Sequence, residues 1–412
     1  MSLATPATME SEHLTLNDLQ TADAQSAFQN YGKRIPVAFA RGEGARLWDV
    51  EGRGYLDFLS GIAVTTLGHA HPRVTEAITQ QASQILHTGN YFYIAPQVKL
   101  AARLHELTGM RAFLCNSGTE ANEAALKLAR KWQKDNGAPH RVEIITTHNS
   151  FHGRTYGSLA ATGQPKYHEG FAPLPAGFRY VAINDEDELR AAVGENTAAI
   201  MLEPIQGESG VIPCDDDFLQ LARELCDQSG ALLICDEVQA GMGRTGKFFG
   251  HEWSGIRPDI ITMAKGLANG VPIGALLARE EVASSFTPGT HGCTFGGNFL
   301  SCSAALATLD VLFEENLMTN AAHVGDYFQA RLWNWAERTH ALREVRGCGL
   351  MVGVALNKPV ARELMLECLQ NGLVFNAIGT NTLRFLPPLI ISNEDVDEAM
   401  KILAKAYETV SS

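Results

Sequence analysis

Basic residues are sparse in this sequence and nowhere clustered. The first lysine or arginine is Lys33, and the opening MSLATPATMESEHLTLNDLQ has neither a basic start nor an apolar core, so neither a secretory signal nor a mitochondrial transit peptide is expected there. Against 33 basic residues stand 46 acidic ones, a net charge of −13 that repels a phosphodiester backbone; no nucleic-acid partner is expected. No C-x-x-C pair or zinc-like spacing occurs among the eight cysteines, which are expected to be buried thiols in a reducing, cytoplasmic setting. The histidines do not suggest a metal either: His69 and His71 in GHAHP lack a third ligand, and His251-Glu252 lacks the second histidine of a zinc-protease helix. Long apolar runs are missing too. The least charged stretch, IITMAKGLANGVPIGALLA (260–278), is interrupted by Lys265, Asn269, Pro272 and three glycines, which makes it a poor membrane span.

What is present is an ordinary globular composition, 45% hydrophobic and 19% charged, over 412 residues, enough for two cored domains. Strand and helix signals alternate, the mark of an α/β chain. A hairpin is expected over 44–61, helices over 117–133, 216–228, 301–315, 360–370 and from 393, and strands at 142–147, 198–203, 231–236, 259–264 and 382–386, with a further unit at 345–357. A large domain is drawn at 60–300, and a smaller one from 1–59 together with 301–412.

The stretch ALLICDEVQAGMGRTGKFFG (231–250) supports two conflicting chemistries. Gly241, Gly246 and Lys247 satisfy G-x-x-x-x-G-K, a phosphate-loop pattern, and LLICDE resembles an acidic magnesium strand. That nucleotide-binding reading fails because Phe248 replaces the required Ser or Thr, no helix-forming run follows Lys247, and the acidic strand leads directly into the loop. In the other reading Asp236 is a carboxylate at the C-terminal end of a buried strand, where open α/β sheets bind ligands. Lys265 ends the next strand, in surroundings that solvate an ammonium poorly. A lysine that condenses with an aldehyde and an aspartate that pairs with a ring nitrogen together suit pyridoxal phosphate; the alternative is a lysine whose stem lies on an apolar wall with its head in water. Ser117, Gly118 and Thr119 open a helix and offer N–H groups and hydroxyls to a phosphate, although Ser117-x-x-Glu120 also reads as a plain capping box.

These motifs, with RGEGARLWDVEGRGYLDF, LGHAHP, NYFY, SFHGRT, EPIQGE, TFGGN and LRFLPPL in a fixed order over nearly the whole chain, resemble the class III, ornithine-type aminotransferases of pyridoxal-phosphate fold type I. The resemblance implies an α/β fold with a large domain around a mostly parallel central sheet and a smaller α/β domain. It further implies that Lys265 binds the cofactor aldehyde, Asp236 the ring nitrogen, Gln239 the ring hydroxyl, Phe151 the ring face, and Ser117, Gly118 and Thr119 the phosphate. Thr294 would reach the phosphate of a neighbouring subunit, implying a homodimer with shared sites. Arg154 resembles the clamp for the α-carboxylate of an acylated ornithine, Arg384 the clamp for glutamate or 2-oxoglutarate, and Glu208 the gate that pairs with Arg384 while the donor is bound. The implied reaction moves the terminal amine of N2-acetylornithine to 2-oxoglutarate, a step of arginine biosynthesis. Ornithine, succinylornithine, 4-aminobutyrate and a carrier-bound lysine precursor are the other donors such chemistry serves. Two positions depart from the pattern. Cys293 stands beside the donor where Ser or Thr is usual, a weaker hydrogen-bond partner, and Phe299 follows GGN where proline is common.

Overall fold

A computed structural model describes residues 15–411. Residues 1–14, where most of the leader reading falls, and Ser412 lie outside the described residues; both belong to the segments assigned above to the smaller domain.

A seven-stranded sheet organises the chain, in the order Arg111–Cys115, Gly274–Ala278, Ile260–Met263, Leu232–Asp236, Thr197–Leu202, Glu143–Thr147 and Phe178–Val181. Six of the strands run parallel and Gly274–Ala278 runs against them. Leu232–Asp236 and Thr197–Leu202 are buried at every position because helices cover both faces, so these strands read as unbroken apolar runs rather than alternating ones. On one face Ala199, Met201, Leu232 and Ile234 meet Ala124, Ala125 and Leu128 of the helix Gly118–Asp135; on the other Ile200, Leu202, Leu233 and Cys235 meet Phe218, Leu221 and Ala222 of Asp216–Ser229.

Two smaller sheets flank this one. Phe39–Glu43, Arg46–Asp49 and Gly54–Asp57 form a meander, and Leu373–Val374 adds to it in parallel, so segments more than 300 residues apart share one sheet. The other is antiparallel, in the order Leu342–Cys348, Met351–Leu356, Thr382–Phe385 and Asn376–Ile378. An apolar cluster extends from Leu56 and Phe58 through Met263 and Leu277 to Phe328, Phe385 and Tyr407. Among the described residues no helix is long and apolar enough to cross a membrane.

Elements not expected from the sequence include the strands Arg111–Cys115, Phe178–Val181 and Gly274–Ala278, and the helices Pro72–Ala82, Ala95–Thr108 and the 23-residue Leu317–Thr339. RAFLC, FRYV and GALLA are short and have few β-branched residues, so pairing within the sheet decides their state rather than local preference.

Candidate active site

Five of the six parallel strands deliver chemistry from their carboxyl ends. Cys115 is followed by Asn116 and Ser117, Thr147 by the loop to Phe151, Leu202 by Glu203, and Met263 by Ala264 and Lys265, while Asp236 itself ends its strand. The residues that follow line one cavity of about 420 Å³, among them Ser117, Gly118, Thr119, Phe151, Arg154, Asp236, Gln239 and Lys265.

Asp236 is buried but not alone. Its Oδ2 accepts hydrogen bonds from Asn122 Nδ2 at 2.8 Å and pairs with His152 Nδ1 at 2.7 Å, while Oδ1 accepts from the Val238 N–H at 3.0 Å. Burial by itself would depress the His152 imidazole; the hydrogen bond and charge of Asp236 outweigh it and raise its pKa, which favours an imidazolium against the carboxylate. Lys265 opens a short 3₁₀ turn with φ at +45°, an uncommon conformation for a residue with a side chain. Burial lowers its pKa, and Glu208 and Arg384 pull in opposite directions. Among the described residues its amine has no hydrogen-bond partner.

Ser117 caps the helix Gly118–Asp135, its Oγ accepting from the Glu120 N–H at 3.3 Å. Glu120 returns to the Asn116 N–H at 2.6 Å, one residue earlier than a strict capping box. The first intrahelical bond is Ala121 N–H to Ser117 C=O, so the N–H groups of Gly118 and Thr119 are left to face the cavity. A side chain at Gly118 would place Cβ 2.7 Å from Val238 Cγ1, which keeps this cradle shallow.

Glu203 braces the loops from two strands, its Oε1 accepting from the Phe151 N–H at 2.8 Å and its Oε2 from the Gly207 N–H at 3.4 Å. Burial pushes its pKa up to about 7, with His152 acting against the shift and Asp236 adding to it. The Arg154 guanidinium lies 4.0 Å from the Tyr167 ring and 5.5 Å from that of Phe151, exposed and without an acidic partner among the described residues. Arg384 lies outside the cavity lining and reaches it through Gln239: its Nη1 donates to Gln239 Oε1 at 3.3 Å, to Gly207 C=O at 3.0 Å and to Glu208 Oε1 at 2.6 Å. Burial would raise the Glu208 pKa, but Arg384 overrides it and holds the carboxyl below its usual range.

This donor set fits pyridoxal phosphate: unclaimed N–H groups at a helix start for the phosphate, a buried carboxylate for the ring nitrogen, an aromatic wall and an unbonded amine. The family model for class III aminotransferases matches residues 27–407. The chain belongs to this family. It is a pyridoxal-phosphate-dependent aminotransferase. The chain is 48% identical over 383 residues to the acetylornithine aminotransferase of Methanocaldococcus jannaschii, covering 93% of this chain and 96% of that one. Among solved structures, the ornithine aminotransferase of Toxoplasma gondii, described with partial occupancy of the cofactor, superposes with a TM-score of 0.91 at 34% identity, covering 96% of this chain and 95% of that one. The acetylornithine aminotransferase of Elizabethkingia anophelis gives a TM-score of 0.86 at 34% identity, over 96% and 100% of the two chains.

In this aminotransferase two of the expected site residues stand apart from Lys265. Thr294 is exposed and Cys293 half-buried beside a different cavity with Asn116, Glu120 and Phe295, and the Cys293 Sγ accepts from Asn116 Nδ2 at 3.0 Å. Two buried groups of the aminotransferase's cavity went unassigned in the sequence, Asn122 and His152, while Glu203 of the EPIQGE motif belonged to the expected set without a stated role. His152 follows Phe151 directly, and Asn122 stands four positions after Gly118, one helical turn along the same face. Only the bond of both to Asp236 distinguishes them from ordinary core polar residues.

Proposed function

We propose that the chain transfers the terminal amino group of N2-acetylornithine to 2-oxoglutarate, giving N-acetylglutamate 5-semialdehyde and glutamate. The observation that carries this reading is the pairing of the buried Arg384 with Glu208 at 2.6 Å, together with a cavity-lining Arg154 that has no acidic partner among the described residues. A donor bearing one carboxylate and an amine uses Arg154 while Glu208 keeps Arg384 neutralised. A dicarboxylate displaces Glu208 and takes Arg384. A planar guanidinium suits each task. The relatives from Methanocaldococcus jannaschii and Elizabethkingia anophelis carry the name of the acetylated donor, while the Toxoplasma gondii structure carries that of free ornithine.

Pyridoxal phosphate, when bound, supplies the electron sink for the carbanion formed at the substrate carbon. Ser117, Gly118 and Thr119 would hold its phosphate, Phe151 would pack on the ring, Gln239 would bond the ring hydroxyl, and Asp236 would pair with the ring nitrogen and favour its protonated form. His152 and Asn122 hold Asp236 in place. Lys265, whose amine pKa is lowered by burial, would take a proton at Nζ from the substrate carbon and give it back as a general acid. Thr294 serves the phosphate of a second copy, in a homodimer. Asn90 ties the exposed Tyr91, Phe92 and Tyr93 to the Thr294 loop through the Cys293 and Gly296 carbonyls, a rim suited to a partner surface. The eight free cysteines accord with a cytoplasmic setting.

Borohydride reduction of the loaded enzyme followed by peptide mapping is expected to leave the pyridoxyl group on Lys265; label on another lysine refutes the assignment. A panel of acetylated, succinylated and free ornithine with 4-aminobutyrate tests the donor, and a kcat/KM for free ornithine above that for the acetylated form overturns it. Light scattering is expected at twice the chain mass of 44.7 kDa.

A further inference from the structure

Arg384 is held on several sides, and only one of its acceptors carries charge. It stands on Thr382–Phe385 directly opposite Asn376 of the neighbouring antiparallel strand. Its Nε donates to Asn376 Oδ1 at 3.1 Å, and its Nη1 to Gly207 C=O, Gln239 Oε1 and Glu208 Oε1. Glu208 is its one ion-pair partner among the described residues, and the two are unequal: the arginine side chain is 1% exposed, the glutamate 26%.

We propose that Asn376 is a positioning residue for substrate exchange, pinning Nε of Arg384 with a neutral oxygen so that the guanidinium stays in place and Glu208 is the half of the pair that moves. This rests on the reading of Arg384 as the clamp for 2-oxoglutarate. A guanidinium is a rigid planar fork, so a bond at Nε sets the direction of both Nη groups. The Gly207 carbonyl and Gln239 oxygen hold Nη1 from the cavity side, and Asn376 completes the hold from the sheet. The neutrality of these acceptors matters as much as their position. When Glu208 swings away the full positive charge must remain for the incoming carboxylate, and a carboxylate at 376 would cancel it. The pairing across adjacent strands also puts the pin on the rigid sheet, while Glu208 lies in the turn after Ile205–Gln206.

The test is calorimetric titration of the holoenzyme with glutarate, a dicarboxylate that cannot react, together with KM for 2-oxoglutarate and for N2-acetylornithine. Asn376→Ala is expected to weaken glutarate and raise KM for 2-oxoglutarate by roughly tenfold, the worth of one hydrogen bond to a charged group, and to leave the donor's KM within about twofold. Asn376→Asp, which keeps an oxygen in the same place, is expected to weaken glutarate further than Asn376→Ala does. A purely structural role predicts the reverse order, with the isosteric Asp variant mild and both KM values moving together. Glutarate binding like wild type in Asn376→Asp overturns the proposal, as does an equal rise of both KM values in either variant. If Asn376→Ala does not fold, the Asp variant decides alone. Arg384→Ala run in parallel separates the two readings: if it leaves glutarate binding intact, the clamp itself is misassigned, whereas if it abolishes binding and both Asn376 variants bind normally, only the positioning role falls.

Discussion

At the scale of single residues, charge pairs in this site divide into those that hold something and those that are free to change partner. Asp236 with His152 and Asn122 is of the first kind, enclosed and fully bonded on Oδ2; Arg384 with Glu208 is of the second. Arg154→Ala is therefore expected to raise KM for the acylated donor more than for 2-oxoglutarate, and Arg384→Ala the reverse, each by roughly tenfold to a hundredfold in steady-state kinetics. Equal losses for both substrates would contradict separate clamps. Glu203 sets a pH dependence. An acid whose pKa is raised to about 7 on folding binds its proton more tightly folded than unfolded, so its contribution to stability is full below the ordinary glutamate range and is lost as pH rises through about 7. The raised His152 acts with the same sign. The thermal midpoint is expected to fall between about pH 5 and about pH 8, and Glu203→Gln is expected to flatten that fall despite losing the long Gly207 contact. An unchanged slope in differential scanning calorimetry would remove Glu203 as its source.

At the scale of elements, each functional side chain sits where a strand stops or a helix starts. The N-terminus of Gly118–Asp135 is usable because Gly118 lacks a side chain. Gly118→Ala puts Cβ against Val238, and the shift needed to relieve it is expected to weaken cofactor binding by roughly tenfold or more, read from cofactor absorbance during titration. These elements were largely legible: the expected helix at 117–133 is Gly118–Asp135, and the strand at 231–236 is Leu232–Asp236. Their apolar runs are bounded by strong punctuation, an Asn-Ser-Gly start in one case and a Ser-Gly stop before the other. Gly274–Ala278 follows similar punctuation, Asn269-Gly270 and Pro272, but its antiparallel direction comes only from its pairing with both Ile260–Met263 and Arg111–Cys115.

At the scale of the whole molecule, the loop after Asp236 and the strand of Arg384 are joined through a buried arginine. Arg244 Nη1 donates to the carbonyls of Leu350, at 3.1 Å, and Pro387, and burial pulls its pKa down to about 9. Arg244→Ala removes a large buried side chain and leaves two carbonyls short of a donor. It is expected to cost about 3 kcal/mol or more in denaturant unfolding, with Lys265 and Asp236 themselves untouched. A loss under about 1 kcal/mol would mean the two regions are joined by packing alone.

The sequence by itself determined the class of chemistry, because a lysine in apolar surroundings, an acid at a strand end and a Ser-Gly-Thr helix start are local patterns written in neighbouring residues. Only the tertiary structure decided that His152 and Asn122 close on Asp236, that Glu203 braces two loops, that Asn376 faces Arg384, and that Cys293 and Thr294 stand apart from Lys265. Those contacts join residues far apart in the chain or on adjacent strands, and a polar side chain gives no local sign of the partner that burial will require it to find.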